Sequence, residues 1–185
     1  MDRKRLQFLL EVAILGALSF VLDNLTLFKM PQGGSVTLSM LPIILMAYRW
    51  GLAGGLLTGF ITGLLQAVIG GYIIHPVQGF LDYFFAYTVV GFAASTHGWL
   101  MKSKSAGRKG SMAAAIITGT VLGGLLRYLA HFIGGMVFFA DAAGDQPAWL
   151  YSLGYNGSYM IPSIILCAAA AVVLFTSSPR LIQRV

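Results

Sequence analysis

Six apolar runs, separated by polar or breaker-rich stretches, divide this chain. The first extends from about Leu6 to Leu27 with Glu11 inside it. Lys29, Pro31, Gln32, Gly33, Gly34 and Ser35 then interrupt it. A shorter second run covers about Val36 to Tyr48 and ends in a tight connection at Arg49, Trp50 and Gly51. The third spans Leu52 to about Ile69, after which Gly70, Gly71, His75 and Pro76 mark a turn. The fourth covers about Val77 to Thr96. The most polar segment, from His97 to Ser111, follows and carries Lys102, Lys104, Arg108 and Lys109. The fifth runs from about Met112 to Phe139, long enough to tilt or protrude. Asp141, Gly144, Asp145 and Pro147 make the next loop. The sixth spans about Ala148 to Thr176; Ser177, Ser178 and Pro179 stop it, and Pro162 inside it is a candidate kink.

Runs of this length suit helices that cross a bilayer, which need about 20 apolar residues each. The second run is short, so it predicts a tilted helix or one joined to loop structure. The expected fold is therefore an all-α membrane protein, a bundle of six transmembrane helices in a single integral membrane domain over residues 1–185. Composition agrees: 57% of residues are hydrophobic and 10% charged, and mean hydropathy is +0.80. A soluble domain is far more polar. Arg3, Lys4 and Arg5 before the first run imitate a secretory signal. The run is long and no small-residue cleavage site follows it, which predicts a retained helix.

The net charge of +6 suggests membrane orientation rather than nucleic acid, because the basic residues lie between apolar runs. With six spans, Arg3, Lys4, Arg5, Arg49, Lys102, Lys104, Arg108, Lys109, Arg180 and Arg184 all fall on one side. Lys29 alone falls on the other, near Asp23, Asp141 and Asp145. The asymmetry predicts that both termini are cytoplasmic. Cys167, the single cysteine, excludes an intrachain disulfide and reads as a buried, inert thiol. No phosphate-binding P-loop, HExxH or GxSxG pattern is present, so neither ATP hydrolysis nor a familiar intramembrane hydrolase chemistry is expected of this chain. No cofactor is expected either, and a metal site made of His75, His97 and His131 is disfavoured because the topology separates His75 from His97.

Two small-residue patterns stand out. Gly51, Gly55, Gly59 and Gly63 recur every four residues in the third run, which predicts close helix packing. Ala13 and Ala17 share that spacing in the first run, beside Gly16, a weak sign of a docking face. Glu11, the only glutamate, lies roughly 8 Å inside the inner end of its helix and is expected to pair with a nearby Arg or Lys.

Asp82, Arg127 and His131 lie within apolar runs, where ionisable groups are costly and often functional. Counting about 1.5 Å per residue from the outer ends, Asp82 lies roughly 8 Å deep, His131 and Asn156 roughly 12 Å, and Tyr151 roughly 5 Å. Arg127 is one turn deeper than His131, and Tyr83 adjoins Asp82. If their three helices face one another, these groups enclose a polar, aromatic pocket open to the outside. Bland alternatives exist for each member. Asp82 and Arg127 could neutralise each other, and His131 could be a satisfied interior histidine. Tyr151, Tyr155 and Tyr159 follow i, i+4 spacing that also suits an interfacial belt and packing. Asn156 is harder to dismiss, since a buried amide must place several hydrogen bonds. The pocket suits an aromatic, partly cationic ligand, and Gly134 and Gly135 would allow close approach to the backbone.

The segments EVAILGALSF, MPQGGSVTLSMLPI, HPVQGFLDYFFAYT, RYLAHFIGGMVFF and YSLGYNGS, in this order and spacing, resemble the thiamine-specific substrate-binding (S) subunits of energy-coupling factor transporters. The resemblance covers nearly the whole chain. It implies a six-helix bundle in a bacterial plasma membrane that binds thiamine near the extracellular side, under the loop between the first two helices. It implies ligand contacts from Asp82, Tyr83, Tyr72, His131, Tyr151 and Asn156, with Phe139 and Gly33 at positions where some members carry tryptophan. Asp82 stands where Glu is common, one methylene shorter. Ala13 and Ala17 match an alanine pair that contacts the coupling transmembrane subunit, which two ATPase subunits drive. Rival expectations are an S subunit for riboflavin or hydroxymethylpyrimidine, and a proton-coupled carrier using Asp82 and His131.

Overall fold

The computed structural model describes residues 2–30 and 33–183. Pro31, Gln32 and Arg184, named above from the sequence, lie outside the described residues. Among the described residues six helices form the bundle: α1 Arg3–Asn24, α2 Met40–Trp50, α3 Leu52–Ile69, α4 Pro76–Ser105, α5 Lys109–Phe138 and α6 Ala148–Ser177. Five are long and apolar enough to cross a membrane; α2 is the short one. Between α1 and α2 the chain makes a two-stranded ribbon, β1 Phe28–Lys29 and β2 Ser35–Val36, with Phe28 opposite Val36.

Hydropathy locates the helices and local hydrogen bonding sets their ends. Asp2 caps α1 by accepting from Lys4 N at 3.3 Å. That helix stops at Asn24, not Leu27, because Leu27 N donates to Val36 O at 3.0 Å and extends the ribbon. The second helix starts at Met40 rather than Val36. Val36 belongs to β2, and the Thr37 and Ser39 hydroxyls bond each other at 2.9 Å, the kind of local bonding that competes with helix initiation. The polar segment after Thr96 is helical as far as Ser105, so α4 is longer than hydropathy indicates. Only residues 106–108 connect it to α5, with Gly107 at φ +65° making the turn. His75 caps the outer end of α4, its Nδ1 accepting from Val77 N at 3.2 Å, with Pro76 in the first turn.

The glycine stripe of α3 is a packing seam. A Cβ added at Gly55, Gly59 or Gly63 would lie 2.7, 2.8 and 2.8 Å from backbone atoms of Gly91, Thr88 and Tyr83 on α4. Glycine thus brings the two backbones into contact. Gly51 acts differently. Its φ of +75° turns the chain from α2 directly into α3, a conformation side chains resist. Within α4, residues Phe80–Phe85 form a π-helical turn and Val90–Thr96 a 3₁₀ stretch.

The buried core surrounds α2, where Met40, Ile43, Ile44 and Tyr48 are fully enclosed against α4, α5 and α6. The Tyr48 hydroxyl reaches the Ile116 carbonyl at 3.2 Å. At this end of the bundle Glu11 bonds Arg49 Nε and Trp50 Nε1, each at 2.6 Å, the expected pairing. Arg49 also donates to Leu181 O at 3.0 Å and to Gln183 O. The beginning of α1 and the segment after α6 therefore meet at one end, and an even number of helices returns the chain to where it started.

Candidate functional site

At the opposite end, a cavity of about 370 Å³ opens between the helices and the ribbon, within the range of about 300–1,000 Å³ usual for small-ligand pockets. All eight residues expected to contact a ligand line it: Asp82 and Tyr83 from α4, His131 from α5, Phe139 at its end, Tyr151 and Asn156 from α6, Tyr72 from the loop before α4, and Gly33 from the ribbon. The helices do face one another as the depth argument requires. The rest of the lining includes Tyr155 and Tyr159, which therefore belong to the pocket wall rather than to a lipid-facing belt.

Asp82 sits on the π-helical turn. Its Oδ1 is 3.1 Å from His131 Nδ1, and its Oδ2 accepts from Gln78 Nε2 at 2.7 Å. Gln78, 2% exposed, also donates to Tyr72 O at 3.2 Å and accepts from Ile74 N at 3.1 Å. It thereby joins the carboxylate to the loop that carries Tyr72. The Tyr83 hydroxyl accepts from Tyr72 N at 2.7 Å and fixes the same loop from the other side. The Tyr72 and Phe139 rings lie 6.5 Å apart at 31°.

The second polar centre is Asn156. Its Nδ2 reaches Ser152 O at 2.9 Å and His131 O at 3.2 Å, and its Oδ1 accepts from the Tyr159 hydroxyl at 2.6 Å. The buried amide is satisfied as such groups must be. Tyr151 and Tyr155 stack at 5.8 Å and 20°, and Tyr155 meets Tyr159 edge-on at 6.0 Å. Aromatic faces thus continue along one wall. The Tyr155 hydroxyl accepts from Gly34 N at 3.4 Å, tying the ribbon to α6.

Arg127 does not neutralise Asp82. Its ion-pair partner is Asp23 at the end of α1, 3.8 Å away. Asp23 in turn accepts from Gln66 Nε2 at 2.5 Å and Thr37 Oγ1 at 3.2 Å. Sequence reasoning places Asp23 only as an outer charge near Lys29 and passes over Gln66 and Gln78. The usable signal is that Gln66 is the only amide in α3 and that Asp23 shares the outer depth of Arg127. Gly134 and Gly135 make room for the polar side chains of the site, and Gly135 also lines the cavity. A Cβ at either would lie 2.9 Å from Asp82 Oδ1 or Asn156 Nδ2. Ala13 and Ala17 lie away from the cavity, exposed on the outer face of α1 beside Ile14 and Leu18, whereas Gly16 packs inward against Ile61.

Residues 9–183 match the family described as thiamine transporter protein. The chain is 42% identical over 184 residues to the thiamine transporter ThiT of Bacillus subtilis (strain 168), covering 97% of this chain and 96% of that protein. It is 31% identical over 185 residues to the thiamine transporter ThiT of Lacticaseibacillus paracasei, covering 97% and 92%. The solved structure of ThiT from Listeria monocytogenes superposes with a TM-score of 0.92 at 27% identity, over 98% of this chain and 100% of that one. With a six-helix membrane architecture shared along the whole length, this chain belongs to the thiamine transporter protein family.

Proposed function

We propose that this chain captures thiamine at the outer face of a bacterial membrane and serves as the substrate-binding subunit of an energy-coupling factor transporter. The observation that carries this reading is the convergence of Asp82, Asn156 and several aromatic rings on one cavity, at the end of the bundle away from the basic termini. Excess Lys and Arg mark the cytoplasmic side, so the cavity faces outward.

Thiamine joins a flat aminopyrimidine to a cationic thiazolium. Rings of Phe139, Tyr72 and Tyr151 offer faces for stacking and for the cation. A carboxylate has about four acceptor positions. His131 and Gln78 occupy two at Asp82, which leaves capacity for an amino group or for the positive charge. Asn156 Oδ1, already holding Tyr159, retains a second lone pair for the pyrimidine. His131 and Tyr83 orient the carboxylate and the Tyr72 loop around the ligand, and the Gly33–Gly34 turn closes the outer side.

The chain has no phosphate-binding loop, so energy comes from partners: a coupling membrane subunit and two ATPases. The exposed Ala13 and Ala17 face on α1 is the docking surface. Small side chains there let another helix come close.

Calorimetric titration of the purified chain tests capture. Thiamine is expected to bind, riboflavin is not; Asp82→Ala should weaken binding by at least about tenfold, since a hydrogen bond to a charged group contributes about 1.5–3 kcal/mol, and Asn156→Ala by roughly two- to tenfold, since a neutral one contributes about 0.5–1.5 kcal/mol. Absence of thiamine binding, or equal affinity in both variants, contradicts the assignment. Docking is tested separately: Ala17→Phe should keep thiamine affinity while abolishing uptake in vesicles that also contain the partner subunits.

A further inference from the structure

Arg127 lies buried beneath the pocket, 7% exposed, and extends its donors in three directions. Nη2 faces Asp23 at 3.8 Å, Nη1 donates to Ser39 Oγ at 3.1 Å, and Nε donates to His131 Nε2 at 3.3 Å. The Tyr87 ring lies across the guanidinium, its centroid 4.0 Å from the Arg127 carbon. A guanidinium has donors and no acceptor. His131 Nε2 is therefore the acceptor of that bond, and the ring proton resides on Nδ1. Nδ1 is the nitrogen 3.1 Å from Asp82 Oδ1. The two bonds agree: the imidazole receives at one nitrogen and donates at the other.

We propose that Arg127 is a positioning residue that holds His131 as the neutral Nδ1–H tautomer, so that the histidine orients Asp82 without cancelling its charge. The carboxylate is thereby reserved for a cationic ligand. The charges around it support this. Arg127 is matched by Asp23, which Gln66 and Thr37 also hold. Gln78, the other partner of Asp82, is neutral. Lys29 at the mouth is exposed on β1, where solvent screens it. A doubly protonated His131 would set an N–H against the guanidinium, donor against donor and cation against cation. The tautomer follows from this geometry alone; the reserved charge rests on the thiamine-capture reading above.

The test is nitrogen-15 NMR of the full chain labelled at its three histidines, at neutral pH without ligand, with His75→Gln and His97→Gln used for assignment. In the unsubstituted protein His131 should show a protonated Nδ1 and a bare Nε2. Arg127→Met should lose that signature, and Arg127→Lys, which keeps a cationic donor, should restore part of it. The affinity ratio of thiamine over a neutral isostere, with carbon in place of the thiazolium nitrogen, should fall at least about tenfold in Asp23→Asn/Arg127→Met, which frees His131 without stranding a second carboxylate beside the cavity, because an uncompensated carboxylate attracts a nearby cation strongly at low dielectric. If Arg127→Met leaves Asp23 stranded and fails to fold, the double variant Asp23→Asn/Arg127→Met removes both charges. An Nε2–H or doubly protonated His131 in the unsubstituted chain overturns the proposal. The expected tautomer with equal affinity for cation and isostere overturns the charge reservation. The expected tautomer without any thiamine binding refutes the capture function and leaves the positioning role standing.

Discussion

Gly63→Ala offers a sharp test of how α3 supports the site. The added Cβ would lie 2.8 Å from the Tyr83 carbonyl carbon and 3.1 Å from Phe84 Cα, and closer still to the Tyr83 oxygen. These are backbone atoms, so no rotamer change relieves the clash. Restoring an ordinary 3.4 Å contact from 2.8 Å requires a shift of at least about 0.6 Å, and the element on the other side is the π-helical turn that carries Asp82 and Tyr83. Overpacking of this kind costs about 1–3 kcal/mol, which for a chain of this size lowers the Tm by roughly 2–12 °C. The same displacement moves the carboxylate beyond the ~0.5 Å tolerance of a preorganised site, so thiamine affinity should fall about tenfold or more. Thermal unfolding in detergent and calorimetric titration read the two effects. Gly98→Ala is the control: nothing lies within 4 Å of its Cβ position, and a helical Gly→Ala change is neutral or stabilising by up to about 1 kcal/mol. If Gly63→Ala matches the unsubstituted protein in both Tm and Kd, the α3–α4 seam does not position the site.

Three further outcomes are expected. Tyr159→Phe removes the donor to Asn156 Oδ1 and should cost about 1–3 kcal/mol of stability, read by thermal unfolding, together with weaker thiamine binding; an unchanged Tm counts against this bond. Glu11→Gln breaks the charged contact to Arg49 at the far end of the bundle and should lower stability by about 1–3 kcal/mol while leaving the thiamine Kd untouched; a change in Kd would reveal coupling between the two ends. Phe139→Trp enlarges the aromatic wall beside Tyr72 and should tighten thiamine binding about 2–10-fold, in line with aromatic contacts of about 0.5–1.5 kcal/mol; weaker binding would mean that Phe139 already fills its space.

The helices are legible because lipid demands long apolar runs. Leu52–Ile69 is readable to the residue, since Gly51 and Gly70 punctuate it. The end of α4 is not, because His97–Ser105 is polar where the helix leaves the apolar zone, and hydropathy cannot tell a protruding helix from a loop. The ribbon escapes for another reason: two residues per strand carry no periodicity. At the site, Asp82, His131 and Asn156 are conspicuous as polar groups at one depth on different helices. Which partner each one chooses is not readable. Depth alone allows Arg127 to pair with Asp82, whereas packing gives it to Asp23, because α1 and α3 bring Asp23 and Gln66 to the same spot. Gln78 is legible in part, since an amide four residues before an aspartate shares its helix face, but its bonds to Tyr72 and Ile74 in the preceding loop are not.

The π-helical turn of α4 has an evolutionary consequence. A π-helical segment holds one residue more than the α-helix it replaces. Losing one residue of the Phe80–Phe85 turn would therefore let α4 relax to ordinary winding with its inner half, the Gly55–Gly91 crossing and its outer end at Pro76 all kept in register. Only side chains within the turn, Asp82 and Tyr83 among them, would then re-aim, and the binding chamber would lose the placement of its acid. A one-residue deletion in this stretch is thus the smallest genetic step that re-aims the chemistry shown to the nutrient without rebuilding the scaffold.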